Sequence, residues 1–297
     1  MILVTGGAGF IGSRLVSALV ADGLEVAVLD DLSGGSAASL PAGVRFLEAD
    51  VADPGVIGEI ERLSPWAVVH AAAQISVPAS VADPGRDRAV NVEGTENVIS
   101  GAIAAGSGRF VFLSSGGAVY GEADGATELT LPDPTSYYGA HKYLAERYVG
   151  LSGLSFAIAR LANVYGAGQR SDLEGGVVSI FLERLLCGSP VTIYGTGLQS
   201  RDFVYVGDVV DALLTMLGSR SEGTWNVGTG ASTTLLGLLQ SLQDELGTGI
   251  SPHHAPPRPG DVRGSRLHVD RILEDLSWKP RHSLPEGLRE TIRESRR

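Results

Sequence analysis

Short apolar runs rich in β-branched residues alternate with stretches of helical period along the first half of the chain. Ile2–Thr5, Glu25–Asp30, Val44–Glu48, Ala67–His70, Arg109–Ser114 and Ser155–Arg160 are predicted as strands, and helices are predicted to begin near Phe10, Pro54, Asp83 and Ser136. Near-continuous apolar strands are those covered on both faces, and strand–helix–strand order closes right-handed crossovers. The expected fold class is therefore α/β, a Rossmann-type doubly wound parallel sheet with a smaller C-terminal α/β part. After Tyr165 the pattern loses its regularity. Turn-rich stretches at Gly166–Gly176 and Pro252–Gly264 are too long for simple connectors, and loops of that length usually carry function or are disordered.

Composition narrows the class. The chain of 297 residues carries 23 Lys and Arg against 34 Asp and Glu, a net charge of −11, which argues against a nucleic-acid partner. With 43% apolar and 19% charged residues it is ordinary for a globular protein, and its apolar runs fall short of the roughly 20 residues of a membrane helix. Met1 leads straight into a strand with no basic leader, so the expectation is a cytoplasmic protein without membrane contact. The single cysteine, Cys187, makes neither an intrachain disulfide nor a cysteine-rich zinc site; within "FLERLLCG" it is predicted to be buried, and no metal is expected.

The segment "ILVTGGAGFIGSRLVSALV" sets Gly6, Gly9 and Gly12 directly after a strand, with Phe10 and Ile11 opening an amphipathic helix. Glycine permits the tight turn and lets backbone approach a pyrophosphate, which then meets helix N–H groups at the positive dipole end. A glycine triplet alone also serves as a plain structural turn; here the next strand ends at Asp30, where a carboxylate binds both ribose hydroxyls and repels a 2′-phosphate. NAD is therefore expected as cofactor rather than NADP. Asp31 adds to this, although an Asp-Asp pair also suits a solvated turn. Asp50 and Val51 close the third strand at the adenine edge, and Ala71, Ala72 and Ala73 after the fourth let a cofactor approach. The division that follows assigns residues 1–165 with 201–228 to NAD binding and 166–200 with 229–297 to substrate.

In "SYYGAHKYLAE", Tyr138 and Lys142 stand four apart and share one helix face. A nearby ammonium and a nicotinium favour a phenolate, lowering the phenol toward working pH and making a usable base. Such pairs also arise by chance. The glycine turn upstream and the strand end at Ser114 and Ser115 make this one more specific.

Across nearly its whole length, through "VTGGAGFIG", "HAAAQISV", "NVEGTENV", "SSGGAVYG", "YYGAHKYLAE", "NVYGAGQ", "VTIYGTGLQSRDFVYVGDVVDA", "WNVGTG" and "RPGDVRGS", the chain resembles extended short-chain dehydrogenases/reductases. Within them it resembles specifically the UDP-glucose 4-epimerase branch of the NAD-dependent sugar-nucleotide epimerases. The resemblance implies that Tyr138 is the base, that Lys142 bonds the nicotinamide ribose, and that Asn91 and Ser114 belong to the cofactor site. One departure stands out. The family's catalytic Ser or Thr falls on Gly116, and Ser115 lies one position earlier, either to replace that hydroxyl or simply to hold the strand end. Related dehydratases carry an Asp-Glu pair, and decarboxylases a Glu, where this chain has Gly117 and Ala118, which disfavours both.

For the substrate, a nucleotide-diphosphate sugar, the resemblance points to Arg201 and Arg263 at the nucleotide and diphosphate, Asn163 as a contacting amide, and Asp261 at the ribose. Paired guanidinium donors suit phosphate oxygens in an acidic protein. Arg170 follows Asn163 by seven, as in uronate 4-epimerases, whereas the surrounding segments look like the glucose/galactose branch. The implied activity is 4-epimerisation through a transient 4-keto sugar, on UDP-glucose and UDP-galactose or on UDP-glucuronate and UDP-galacturonate. A dehydratase or reductase on the same scaffold is the alternative enzyme, and an inactive NAD-binding scaffold the alternative class. Helices expected over 91–105 and 136–151 resemble the pair through which the superfamily forms homodimers.

Overall fold

The structure, a computed structural model, describes residues 1–171, 176–257 and 262–296. The first half runs β1 (Ile2–Thr5), α1 (Phe10–Ala21), β2 (Val26–Asp30), β3 (Arg45–Glu48), α2 (Val56–Leu63), β4 (Ala67–His70), α3 (Val77–Ala82), α4 (Pro84–Arg88), α5 (Gly94–Ala104) and β5 (Arg109–Ser115). There follow α6 (Gly116–Val119), β6 (Ala123–Ala126), α7 (Tyr137–Leu151) and β7 (Phe156–Leu161). The six expected strands are present with ends moved by one residue at most. Glu25 lies just outside β2, and its carbonyl accepts from Ile2 N of β1 at 2.8 Å. Of the four expected helix starts, Phe10 opens α1, α2 begins at Val56, two residues after Pro54, and the other two are caps: Asp83 accepts from Arg86 N at 2.9 Å and Ser136 from Gly139 N at 3.1 Å, each satisfying an orphan donor of the first turn. The helix expected from Asn91 begins earlier, in a π-helical turn over Ala89–Glu93 that runs into α5.

The second half comprises β8 (Asn163–Tyr165), α8 (Val177–Leu186), β9 (Thr192–Tyr194), β10 (Ser200–Arg201), β11 (Phe203–Tyr205), α9 (Val206–Gly218) and β12 (Gly223–Val227). It ends with β13 (Thr233–Thr234), α10 (Leu235–Leu246), β14 (His253–Ala255), β15 (Gly264–Leu267), α11 (Asp270–Leu276) and α12 (Leu284–Ser295). Two expectations are corrected. The stretch 252–264 contains a strand, β14, which pairs in parallel with β9. Cys187 is exposed, because the buried stripe of α8 is Val178, Phe181, Leu182 and Leu185, and the cysteine caps the helix off that stripe.

Seven parallel strands form the main sheet in the order β12-β7-β5-β4-β1-β2-β3. Alternation along each strand sends side chains to two cores. Ile2 and Val4 pack with Leu15 and Leu19 of α1 and Val209 and Leu213 of α9, while Leu3 packs with Ile60 of α2, Val98 of α5 and Val149 of α7. A third core beneath α8, α10 and α12 gathers Phe181, Leu238 and Leu288. A four-stranded sheet, β13-β10-β15-β6, joins the C-terminal segments to β6 from the first half. From β1 the chain steps outward to β2 and β3, then returns to β4 on the other side of β1. That reversal opens a crevice at the C-terminal ends of β1 and β4, the usual ligand position in such sheets.

Candidate active site

At the switch point lies a cleft of about 960 Å³, lined at its floor by Gly6, Gly9, Phe10, Ile11 and Gly12. Gly6 has φ +67°, and a Cβ added to it would lie 2.5 Å from Ala72 N; one on Gly12 would lie 2.1 Å from Gly6 O. No larger residue fits either position. The N-cap of α1 is Gly9, without a side-chain cap and without an acid in the first turn, so the helix presents its first N–H groups and its positive dipole end to the cleft.

Asp30 and Asp31 close one wall and Asp50 and Val51 the next, with Ala71, Ala72 and Ala73 opposite. Asp30 is anchored by Ala8 N at 2.9 Å and Leu32 N at 2.8 Å, which fixes its carboxylate at the cleft. Asp31, which also lines the cleft, accepts from Ser33 N at 3.0 Å. Arg86, which the sequence did not single out, lines the same wall and pairs with Asp50 at 2.8 Å. A phosphate-sized floor of N–H groups beside a ribose-sized acidic wall fits a dinucleotide without a 2′-phosphate.

Tyr138 and Lys142 sit one turn apart on α7, which packs on β5, the strand whose Leu113 lines this cleft. Burial pushes the Tyr138 phenol up to about 12; a hydrogen bond with Ser115 pulls it down and the Asp87 carboxylate pushes it further up. The sequence predicts a lowered phenol. In the protein alone desolvation outweighs the lowering influences. Lys142 is buried with Nζ 4.1 Å from the centroid of the Phe112 ring, and burial brings its ammonium down to about 7 against the opposing pull of Glu146 and Asp87.

Ser115 therefore lies beside the tyrosine, and its hydroxyl accepts from Ala118 N at 3.4 Å to cap α6. Gly116 carries no hydroxyl, and a Cβ there would come within 2.8 Å of both terminal methyls of Leu267, from β15. Ser114 is committed elsewhere: its hydroxyl donates to Glu146 Oε1 at 2.5 Å. Arg160 grips the same carboxylate, with Nε 3.0 Å from Oε1 and Nη2 2.6 Å from Oε2, so α7 is bolted to β5 and β7 one turn below Lys142. Asn91 lies behind the cleft wall, donating to Gln74 O at 2.9 Å and Asp87 Oδ1 at 3.1 Å. His70, at the end of β4, is held between Thr5 Oγ1 at 2.6 Å and Thr95 Oγ1 at 3.0 Å; burial, then Lys142, lowers it to about 3, so it stays neutral.

Toward the C-terminal part, β10 and β15 run side by side, and Ser200 N donates to Arg263 O at 2.9 Å, which brings Arg201 and Arg263 to neighbouring backbone positions. Arg201 Nη1 donates to Val262 O at 2.7 Å. Asn163 lies on β8, its N–H bonded to Asp202 O at 2.9 Å, beside Arg201 in sequence. Arg170 lines the cleft next to Gly168. Asp261 lies outside the described residues. Among the described residues no three metal-ligating side chains cluster, and no helix is long and apolar enough to cross a membrane.

Comparison with known proteins agrees with this geometry. Residues 2–228 match the model of the NAD dependent epimerase/dehydratase family. A UDP-glucose 4-epimerase from Mycolicibacterium smegmatis is 42% identical over 98% of this chain and 96% of its own. The crystal structure of UDP-glucose 4-epimerase from Thermotoga maritima with UDP-glucose superposes with a TM-score of 0.96 at 41% identity, covering 99% of this chain and 98% of the other. A Thermus thermophilus UDP-glucose 4-epimerase in complex with NAD gives a TM-score of 0.94 at 42% identity, with the same coverage.

Proposed function

The chain belongs to the NAD-dependent epimerase/dehydratase family, and from that premise we propose that it binds NAD and interconverts UDP-glucose and UDP-galactose by epimerisation at carbon 4. The observation that carries the reading is that α7, bearing Tyr138 with Ser115 beside its phenol and Lys142 one turn on, packs on β5, the strand whose Leu113 lines the dinucleotide cleft. NAD supplies the hydride acceptor and donor for that carbon. Tyr138 takes the proton of the 4-hydroxyl and returns it, and Ser115 holds the phenol oxygen in line. Lys142 presents an ammonium to the nicotinamide ribose. Arg201 and Arg263 hold the diphosphate and Asn163 contacts the substrate, so the sugar turns about a fixed anchor and offers its other face. Gly117 and Ala118 provide no acid for elimination, which sets dehydration aside.

Residues 1–165 with 201–228 serve the cofactor in this reading, and 166–200 with 229–297 the substrate. The protein works as a homodimer, supported by apolar side chains exposed on α5 and α7, and in the cytoplasm, where a lone exposed thiol stays reduced.

The test is incubation with UDP-glucose, UDP-galactose and UDP-glucuronate, with products read by NMR, in wild type and Arg170→Ala. Conversion of UDP-glucose, little changed in the variant, is expected. Exclusive turnover of UDP-glucuronate, lost in Arg170→Ala, would instead make that guanidinium a carboxylate reader. No turnover of any of the three would sink the epimerase reading.

A further inference from the structure

Asp87 is fully buried, and no step above uses it. Its carboxylate joins three parts of the fold. Oδ1 accepts from Gln74 Nε2 at 2.5 Å and from Asn91 Nδ2 at 3.1 Å, and Oδ2 accepts from His141 Nδ1 at 2.5 Å. Gln74 in turn ties down the loop after β4, its Oε1 accepting from Ser76 N at 2.5 Å and its Nε2 donating to Ser76 O at 2.9 Å; both residues line the cleft. Asn91 Oδ1 is buried without a partner, so this amide serves through its donors. His141 stands on α7 between Tyr138 and Lys142.

A buried carboxylate is costly unless donors surround it, and a fold that needed only packing here would do as well with a neutral side chain. What a neutral side chain lacks is the field. Among the charged groups near Lys142, Glu146 is gripped by Arg160, whereas Asp87 meets two amides and an imidazole. His70, from β4, is neutral. On α4 itself, Arg86 turns to Asp50 and Asp31, and Arg88 to Glu93, away from the phenol.

Resting on the epimerase reading, we propose that Asp87, with His141, is a positioning unit for Tyr138 and Lys142: it clamps α7 to the loop that walls the cleft and keeps a fixed negative charge behind the pair. The charge favours the ammonium of Lys142 and the neutral phenol of Tyr138, the direction in which Asp87 moves both groups. Replacing Asp87 with a neutral isostere therefore makes the phenol easier to ionise.

The experiment compares Asp87→Asn, His141→Ala and His141→Gln in NAD-loaded protein. It reads kcat and KM against pH, the ionisation of Tyr138 by ultraviolet difference titration against Tyr138→Phe, and the melting temperature. In Asp87→Asn the phenol ionisation and the rising limb of kcat are expected to move to lower pH by roughly half a unit to one unit, the scale of a charge several ångströms away in a protein. His141→Ala is expected to lower kcat about tenfold with little change in KM, as misplacement of a catalytic group does, and His141→Gln, which still donates to Asp87, to recover most of that loss. An unmoved phenol titration in Asp87→Asn, with only the melting temperature changed, would reduce the unit to packing and overturn the proposal. Equal loss in His141→Gln and His141→Ala would overturn the clamp. The titration needs no turnover, so an inactive wild type would defeat the epimerase reading while leaving the effect of Asp87 measurable.

Discussion

Tyr138 is a poor base in the protein taken by itself, because burial holds its phenol at about 12 and, among its surroundings, the Ser115 hydrogen bond pulls the other way. Tyr138→Phe deletes the ionisable hydroxyl while keeping the ring. Its kcat is expected to fall by about 100-fold to 10,000-fold, with UDP-sugar binding and melting temperature nearly intact. Ser115→Ala removes the bond that lowers the phenol and should cost part of that loss, moving the rising limb of kcat to higher pH. Ser114→Ala leaves the phenol alone and releases a bond to Glu146, so its effect belongs to stability. Steady-state rates across pH check all three, and a Phe variant retaining half of wild-type activity would remove Tyr138 from its role.

Among the elements, α6 is the one whose sequence and neighbours explain each other. The resemblance to the epimerases points to a hydroxyl at 116, yet Leu267 from β15 is packed where that side chain would start, itself buried against Tyr120 and Ala126. Gly116→Ser overfills this contact and is expected to cost about 1–3 kcal/mol, as overpacked cores do, without raising kcat. Combining it with Leu267→Ala makes room and should recover part of the stability, measurable by denaturant unfolding. A Gly116→Ser variant faster than wild type would mean that Ser115 does not supply the hydroxyl. The motif "SSGGAVYG" shows the missing side chain, but the strand that fills its place lies some 150 positions away in the chain, beyond the reach of any local pattern.

At the level of the whole molecule, α7 bears Leu144, Tyr148 and Leu151 exposed at spacings of four and three, and α5, which contacts α7, bears Ile103 exposed. An exposed apolar stripe of this kind on α7 suits a two-fold contact with the same stripe on a second copy. Light scattering is expected to give a dimer at micromolar concentration, and Leu144→Glu with Tyr148→Glu to give a folded monomer. A stable wild-type monomer would defeat the homodimer.

By itself the sequence determined the order of strands and helices in the first half, the glycine turn with Asp30 at the next strand end, and the Tyr138–Lys142 spacing. Each of these rests on period, capping or distance along a single element, and such physics is local. β14 escaped because three residues with two histidines carry no such period. Only the tertiary structure decided that Ser115 reaches Tyr138 while Ser114 turns to Glu146, that Leu267 occupies the place of a Gly116 side chain, and that Gln74, Asn91 and His141 converge on Asp87. It also decided the state of the base, since desolvation depends on every group packed around the phenol and none of that packing is written in the spacing of four residues.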